Sequence, residues 1–240
     1  MKFLLRLIVV ALLSTPAMAD PTANATQALQ MAEAAEAEQR WEDAARHYAD
    51  LVRLEPSVVN LIRAHRFSRK LNDIPTASIY SAQMVDLARA EGVSYTLASA
   101  LGAHSWDLAN LGNYDAAEPL YRELVEVNRS VFGSQSPYLV VSLDNLAILL
   151  GETGREAEAE TLLREAVMVA RQAYGAEHPD YANQLNDLAN LLIKTGRLDE
   201  ADPLLREAVE VMETAKGVDD MHAKILRNSY ERFLANRPPQ

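Results

Sequence analysis

The sequence predicts an all-α solenoid: antiparallel helix pairs stacked one on the next, about five units long, closed by a single C-terminal capping helix. Two observations predict it. Marker residues recur 42 positions apart, and between them the apolar residues follow helical spacing, with no sustained alternating run that would mark a strand. Gly112, Gly154 and Gly196 keep the interval, as do Gly133, Gly175 and Gly217; Leu101, Leu143 and Leu185; and Ala117, Ala159 and Ala201. Residues 139–175 laid on 181–217 without a gap are identical at 19 of 37 positions, far more than unrelated helices share.

Each unit reads as two helices. In the last full one, Leu185, Leu188, Ala189 and Leu192 form one apolar stripe. Gly196 ends that helix, where a residue free to adopt positive φ is cheap. Leu198 to Ala215 then makes the second helix, with Ala201, Leu204, Leu205, Ala208, Val209 and Met212 inward. The preceding unit repeats the plan with Leu143, Leu146, Ala147 and Leu150, then Ala159, Leu162, Leu163, Ala166 and Val169. A bend of about three residues admits only antiparallel neighbours. The recurring alanines let two helix axes approach closely. Pro137 and Pro179 stand where the next helix begins, a position that needs no backbone N–H. One helix pair cannot bury both its faces, so units must stack into a continuous core.

The repeat is clear over 95–217 and degenerate over 24–92. Trp41, Ala44, Tyr48 and Leu51 read as a second helix; helices are expected near 58–70 and 76–91, with Leu71 at the turn and Pro75 opening the later one. A final helix over 219–236 is expected to turn Met221, Ile225, Leu226, Tyr230 and Phe233 inward, and 237–240, with Pro238 and Pro239, to form a disordered tail. Residues 20–236 are thus expected to make a single solenoid domain.

The amino terminus reads differently. Lys2 and Arg6 precede the apolar run Leu7 to Leu13; Ser14, Thr15 and Pro16 break it, and Ala17-Met18-Ala19 offers a small-x-small cleavage site. That is the layout of a signal peptide over 1–19, too short to cross a bilayer as an anchor. The expectation is an exported protein, periplasmic or secreted. Removing 1–19 takes away Lys2 and Arg6 and moves the formal net charge from -11 to -13, a surface that repels nucleic acid and anionic membranes. Cys is absent, which excludes disulfides, thiol chemistry and cysteine-based metal sites.

At Leu146-Ala147, Gly154, Glu158-Ala159, Leu163, Ala166 and His178-Pro179 the pattern resembles the tetratricopeptide repeat (TPR), in its 42-residue kinesin-light-chain-like variant. Asn186 to Leu191 and Gly196 to Ala201 look like that family's first helix and inter-helix turn, and Gly175 to Pro179 like its inter-unit linker. The resemblance implies a right-handed superhelix whose first helices line a concave surface that binds a partner's peptide or helix. Carried onto this chain, that surface includes Ser99, Trp106 and Asn110, then Asp144, Asn145 and Ile148, then Asn183, Asn186, Asp187, Asn190 and Lys194. One family variant holds a partner's C-terminal carboxylate with two bases and several Asn. Here Lys194 is the one clear base across the three units, and Glu152 takes the equivalent place one unit earlier.

The residues of the fifth unit argue independently. Asn183, Asn186 and Asn190 form a polar ladder at i, i+3 and i+7, and their amides can both donate to and accept from a peptide backbone. A plain solvated face would show the same ladder. Trp106 suits an anchor in a groove or a wedge between units. The five His lie far apart, none in an i, i+4 metal pair with Glu; there is no phosphate-binding Gly-rich loop and no nucleophile elbow. Glu156 and Glu160 read as a solvated acidic face. The expectation is therefore a non-enzymatic protein-protein interaction module, without cofactor or metal, for a neutral or basic protein or peptide. A self-associating scaffold or structural subunit of an envelope complex is the alternative.

Overall fold

The computed structural model describes residues 21–237, and the expected signal peptide and the last three residues of the tail lie outside them. Eleven helices and no strands are found among the described residues. They fall into two compact units, one reaching Leu87 and one beginning at Ala88. No described helix is long and apolar enough to cross a membrane.

The first unit holds α1 (Pro21–Ala37), α2 (Trp41–Leu54), α3 (Val58–Lys70) and most of α4 (Ile74–Glu91). Small residues set its spacing: Ala32, Ala35 and Ala44 are fully buried, next to Tyr48, Leu51, Leu61 and Phe67. The Tyr48 ring stacks on Phe67 at 5.1 Å, and its hydroxyl donates to Glu36 at 2.9 Å, so a buried aromatic keeps its polar end satisfied. Trp41 packs on Phe67 beneath the Lys70 ammonium, a packing role at a helix turn. The turns between α1 and α2 and between α3 and α4 lack glycine. Gln39 and Asn72 adopt the left-handed conformation instead, at φ 58 and 59°. The turn residue between α3 and α4 is therefore Asn72, one position after the expected Leu71; of the non-glycine residues, Asn is among the most tolerant of that conformation.

The second unit holds α5 (Tyr95–Asn110), α6 (Tyr114–Phe132), α7 (Pro137–Glu152), α8 (Glu156–Tyr174), α9 (Pro179–Lys194), α10 (Leu198–Lys216) and α11 (Met221–Asn236). Helices pair as α5 with α6, α7 with α8 and α9 with α10, and each pair meets the next through α6 and α7, α8 and α9, and α10 and α11. Caps start the first helices: Ser94, Ser136 and His178 each accept a backbone N–H from the opening turn. Gly154 at φ 77° and Gly175 at φ 98° close α7 and α8 in a region where other residues are strained. Ala147, Ala159, Ala166, Ala189, Ala201 and Ala208 are all buried, alongside Leu139, Leu143, Leu146, Leu150, Leu185 and Leu192.

Charges tie successive pairs together. Arg155 reaches back to Glu118 at 2.7 Å and forward to Glu158 at 2.6 Å; 42 residues on, Arg197 joins Glu160 at 2.5 Å and Glu200 at 2.6 Å. The arginines hold Glu118 and Glu160 below the usual carboxylate range. Glu156 and Glu160 are therefore not a merely solvated face: Glu156 meets Lys194 at 3.2 Å, and Glu160 sits between Arg164 and Arg197. At the end of the array, Asp202 is met by Arg237 and by the Tyr230 hydroxyl.

α11 caps the stack differently from its expected face. Leu226 and Phe233 are buried, but Met221 and Ile225 are more than half exposed. Lys224, Arg227 and Glu231 occupy the positions that Ala182, Leu185 and Ala189 hold in α9. Those three α9 residues are buried against a neighbour; charge at the same places lets α11 face water, as a terminal repeat must.

Candidate functional site

The first helices of the pairs, α5, α7 and α9, carry two hollows. One, of about 270 Å³, lies between α5 and α7 over α6, lined by Trp106, Ala109, Asn110, Tyr114, Tyr121, Asn145, Ile148, Leu149 and Glu152. The other, of about 250 Å³, lies between α7 and α9 over α8, lined by Asp144, Ala147, Ile148, Gly151, Glu152, Ala159, Leu163, Asp187, Asn190, Leu191 and Lys194. They are one site written twice. Adding 42 to Trp106, Ala109, Asn110, Tyr121, Asn145, Ile148, Leu149 and Glu152 gives Ile148, Gly151, Glu152, Leu163, Asp187, Asn190, Leu191 and Lys194. Ile148 and Glu152 line both, so the two hollows share the exposed ridge of α7.

Of the eleven residues expected on the binding surface, eight line these hollows: Trp106, Asn110 and Asn145 the first, Asp144, Asp187, Asn190 and Lys194 the second, and Ile148 both. Ser99, Asn183 and Asn186 lie outside both. Asn183 is exposed, and half-buried Asn186 turns its amide toward the neighbouring Asp187 carboxylate at 3.4 Å. The polar ladder thus splits, with Asn190 alone reaching a hollow. Glu152, Leu149, Leu191, Tyr114 and Tyr121 line the hollows although no single feature of the sequence marks them as binding residues. The signal that finds them is the period itself: shifting Trp106 and Asn110 by 42 lands on Ile148 and Glu152.

The polar groups of the second hollow are unevenly satisfied. The Lys194 ammonium is engaged: it donates to the Gly151 carbonyl oxygen at 2.8 Å and faces Glu156 at 3.2 Å. It holds the end of α9 to the turn between α7 and α8 and is a poor clamp for a partner's carboxylate. Asp144 is the opposite case. Its Oδ1 is fully buried with no hydrogen-bond partner. Burial, and to a lesser degree the nearby Asp187 charge, push the Asp144 carboxyl up to about 7. Asp187 is also raised by burial, with the Asn186 amide acting in the opposite direction. Among the described residues no three His, Asp or Glu side chains gather as a metal site.

Residues 96–172 and 157–214 match the tetratricopeptide repeat family model. No curated protein matches the sequence. Solved structures do. A kinesin-light-chain array of nearly identical TPR-like repeats from Podosopora anserina is 18% identical, with a TM-score of 0.67, covering 83% of this chain and 99% of that one. YrrB, described as a TPR protein with an unusual peptide-binding site, is 14% identical at a TM-score of 0.57, over 82% of this chain and 88% of its own. A Rap protein in complex with Competence and Sporulation Factor is 14% identical at a TM-score of 0.61, over 85% of this chain and 57% of its own. At such identities the likeness is one of fold. The family-model match, laid over the 42-residue register of helices and turns, assigns residues 96–214 of this chain to the tetratricopeptide repeat family.

Proposed function

We propose that this protein is a binding module, without catalysis of its own, that takes a partner polypeptide along the face shared by α5, α7 and α9. The observation that carries the proposal is the repetition of one apolar-floored hollow at the 42-residue register, with Ile148 and Glu152 common to both copies. A repeated hollow suits an extended chain, which presents side chains at regular intervals. Two structural neighbours support the same reading: YrrB carries a peptide-binding site, and the Rap protein holds Competence and Sporulation Factor.

Ile148 is 56% exposed, so changing it leaves the core intact. Ile148→Arg is expected to reduce capture of peptides selected on the wild-type protein at least tenfold, while the far-ultraviolet circular dichroism and the unfolding midpoint stay unchanged. Unaltered capture would move the site elsewhere. A stable homodimer in light scattering that Ile148→Arg dissociates would replace the module by a self-associating scaffold.

The module is placed in an exported compartment, periplasmic or secreted, on the strength of Lys2, Arg6, the apolar run after them and Ala17-Met18-Ala19. Protein recovered from the native organism is expected to begin at Asp20 by N-terminal sequencing. Intact 1–19 on the recovered protein would remove the argument for export.

A further inference from the structure

We propose that the hollow between α7 and α9 receives a cationic side chain, a lysine or arginine of the bound polypeptide, whose charge meets Asp144 and Asp187. The proposal rests on the polypeptide-binding reading above and specifies what one of its two hollows selects. Size comes first. About 250 Å³ is less than a drug-sized ligand fills and suits one long side chain. The walls come next. Ala147, Ile148, Ala159 and Leu163 offer an apolar lining for the methylenes of such a side chain, which favours residues with a long stem and a charged tip.

Charge then decides between a cation and an anion. The hollow is lined by three carboxylates, Asp144, Glu152 and Asp187, against the single ammonium of Lys194, which is already bound to the Gly151 carbonyl and Glu156. An anionic guest would meet the carboxylates with no free base to receive it. The buried, unpartnered Oδ1 of Asp144 adds an independent reason. No donor of the protein meets that oxygen, so a cation placed beside the carboxylate is the charge that would stabilise its ionised form. The neighbouring hollow differs where it matters: the positions 42 residues before Asp144 and Asp187 are Gly102 and Asn145, and neither is an acid. The cation preference therefore belongs to the α7–α9 hollow alone.

Protonation supports the geometry. With Asp144 raised to about 7 in the free protein, a guest cation draws the carboxyl into its ionised form, and binding releases part of a proton. The other charged groups lining the hollow are Asp187 and Lys194 from α9 and Glu152 from α7; α8 contributes only Ala159 and Leu163 to that lining. Capture therefore strengthens as pH rises from about 6 to about 8.

Two pools of randomised ten-residue peptides test the proposal, one with a fixed central lysine and one with norleucine there, the uncharged analogue of nearly the same length. The wild-type protein is expected to retain the lysine pool at least tenfold better. The double variant Asp144→Asn, Asp187→Asn, which keeps both shapes and whose folding is checked by circular dichroism, is expected to bring that ratio to about one. Equal retention of both pools by the wild type, or a lysine preference that survives the double variant, would overturn the cation reading and leave polypeptide binding standing. Retention of neither pool would overturn both.

Discussion

Replacing Ala189 with Trp is expected to destabilise the second unit by at least ~3 kcal/mol, read as a lower denaturation midpoint by circular dichroism. Overpacking a tight core with a few extra methylenes already costs about 1–3 kcal/mol, and an indole exceeds that change in volume. Ala189 has no accessible surface; it sits on α9, which packs against both α8 and α10. The unit before it makes the same choice at Ala147, also buried. The indole must therefore force α9 away from a neighbour, and in a stacked array the loss reaches the next interface as well. Met168→Trp is the control. Met168 is 60% exposed on α8, and an indole there is expected to change stability by less than about 0.5 kcal/mol. A neutral Ala189→Trp would mean that no helix lies close at that position.

Asp144→Asn is expected to stabilise the protein, and by an amount that depends on pH. The folded state raises the Asp144 carboxyl from 3.8 to about 7. The wild type is thus fully stable with respect to this group below about pH 4, where the carboxyl is neutral folded or unfolded. Stability is lost as pH rises from there through the folded value, because the unfolded chain ionises first and binds fewer protons. Asparagine keeps the shape and does not titrate. The gain from the substitution is expected to be near zero at about pH 4 and to reach ~2–4 kcal/mol by about pH 8. That range follows from about 1.4 kcal/mol for each pH unit separating the folded and unfolded values, with allowance for a hollow that admits water. Denaturant titrations across that span measure it. A gain independent of pH would mean that Asp144 titrates alike in the folded and unfolded chain. The substitution that makes the fold more stable is also expected to weaken cation capture, since the same buried carboxylate serves both.

The period, the helix pairs and the glycine turns of the second unit are legible in the sequence because they are local: spacing on one helix, a cap, a residue with unusual φ. Helices α3 and α4 are legible for the same reason, although their repeat is worn. What escapes needs a register between helices. Glu160 looks like a solvated residue until Arg197, 37 positions later, lies against it. Met221 and Ile225 continue an apolar stripe, but α11 has no following partner among the described residues to bury them. Asn72 closes a turn that lacks glycine, and an asparagine is too common on helix surfaces to announce that conformation. Eight of the eleven expected surface residues line a hollow because the first helices are identified correctly. Ser99, Asn183 and Asn186 fall outside because the side of a first helix that faces its neighbour is set by stacking, not by its polarity. The buried oxygen of Asp144 has no signal in the sequence, where an aspartate one residue before an asparagine reads as surface.

The charged rungs between pairs bear on how such a protein can change in size. The carboxylate of each pair and the arginine of the next stand 37 residues apart, at Glu118 with Arg155 and Glu160 with Arg197. A duplicated 42-residue segment inserted between them would bring both halves of a new rung and close on either side without further mutation. The last rung is made otherwise, by Arg237 at 35 residues from Asp202. The chain is therefore free to lengthen by duplication in its interior, whereas a unit placed after α11 would find the Asp202 carboxylate already held by Arg237 and charged residues on α11 where α9 has apolar ones.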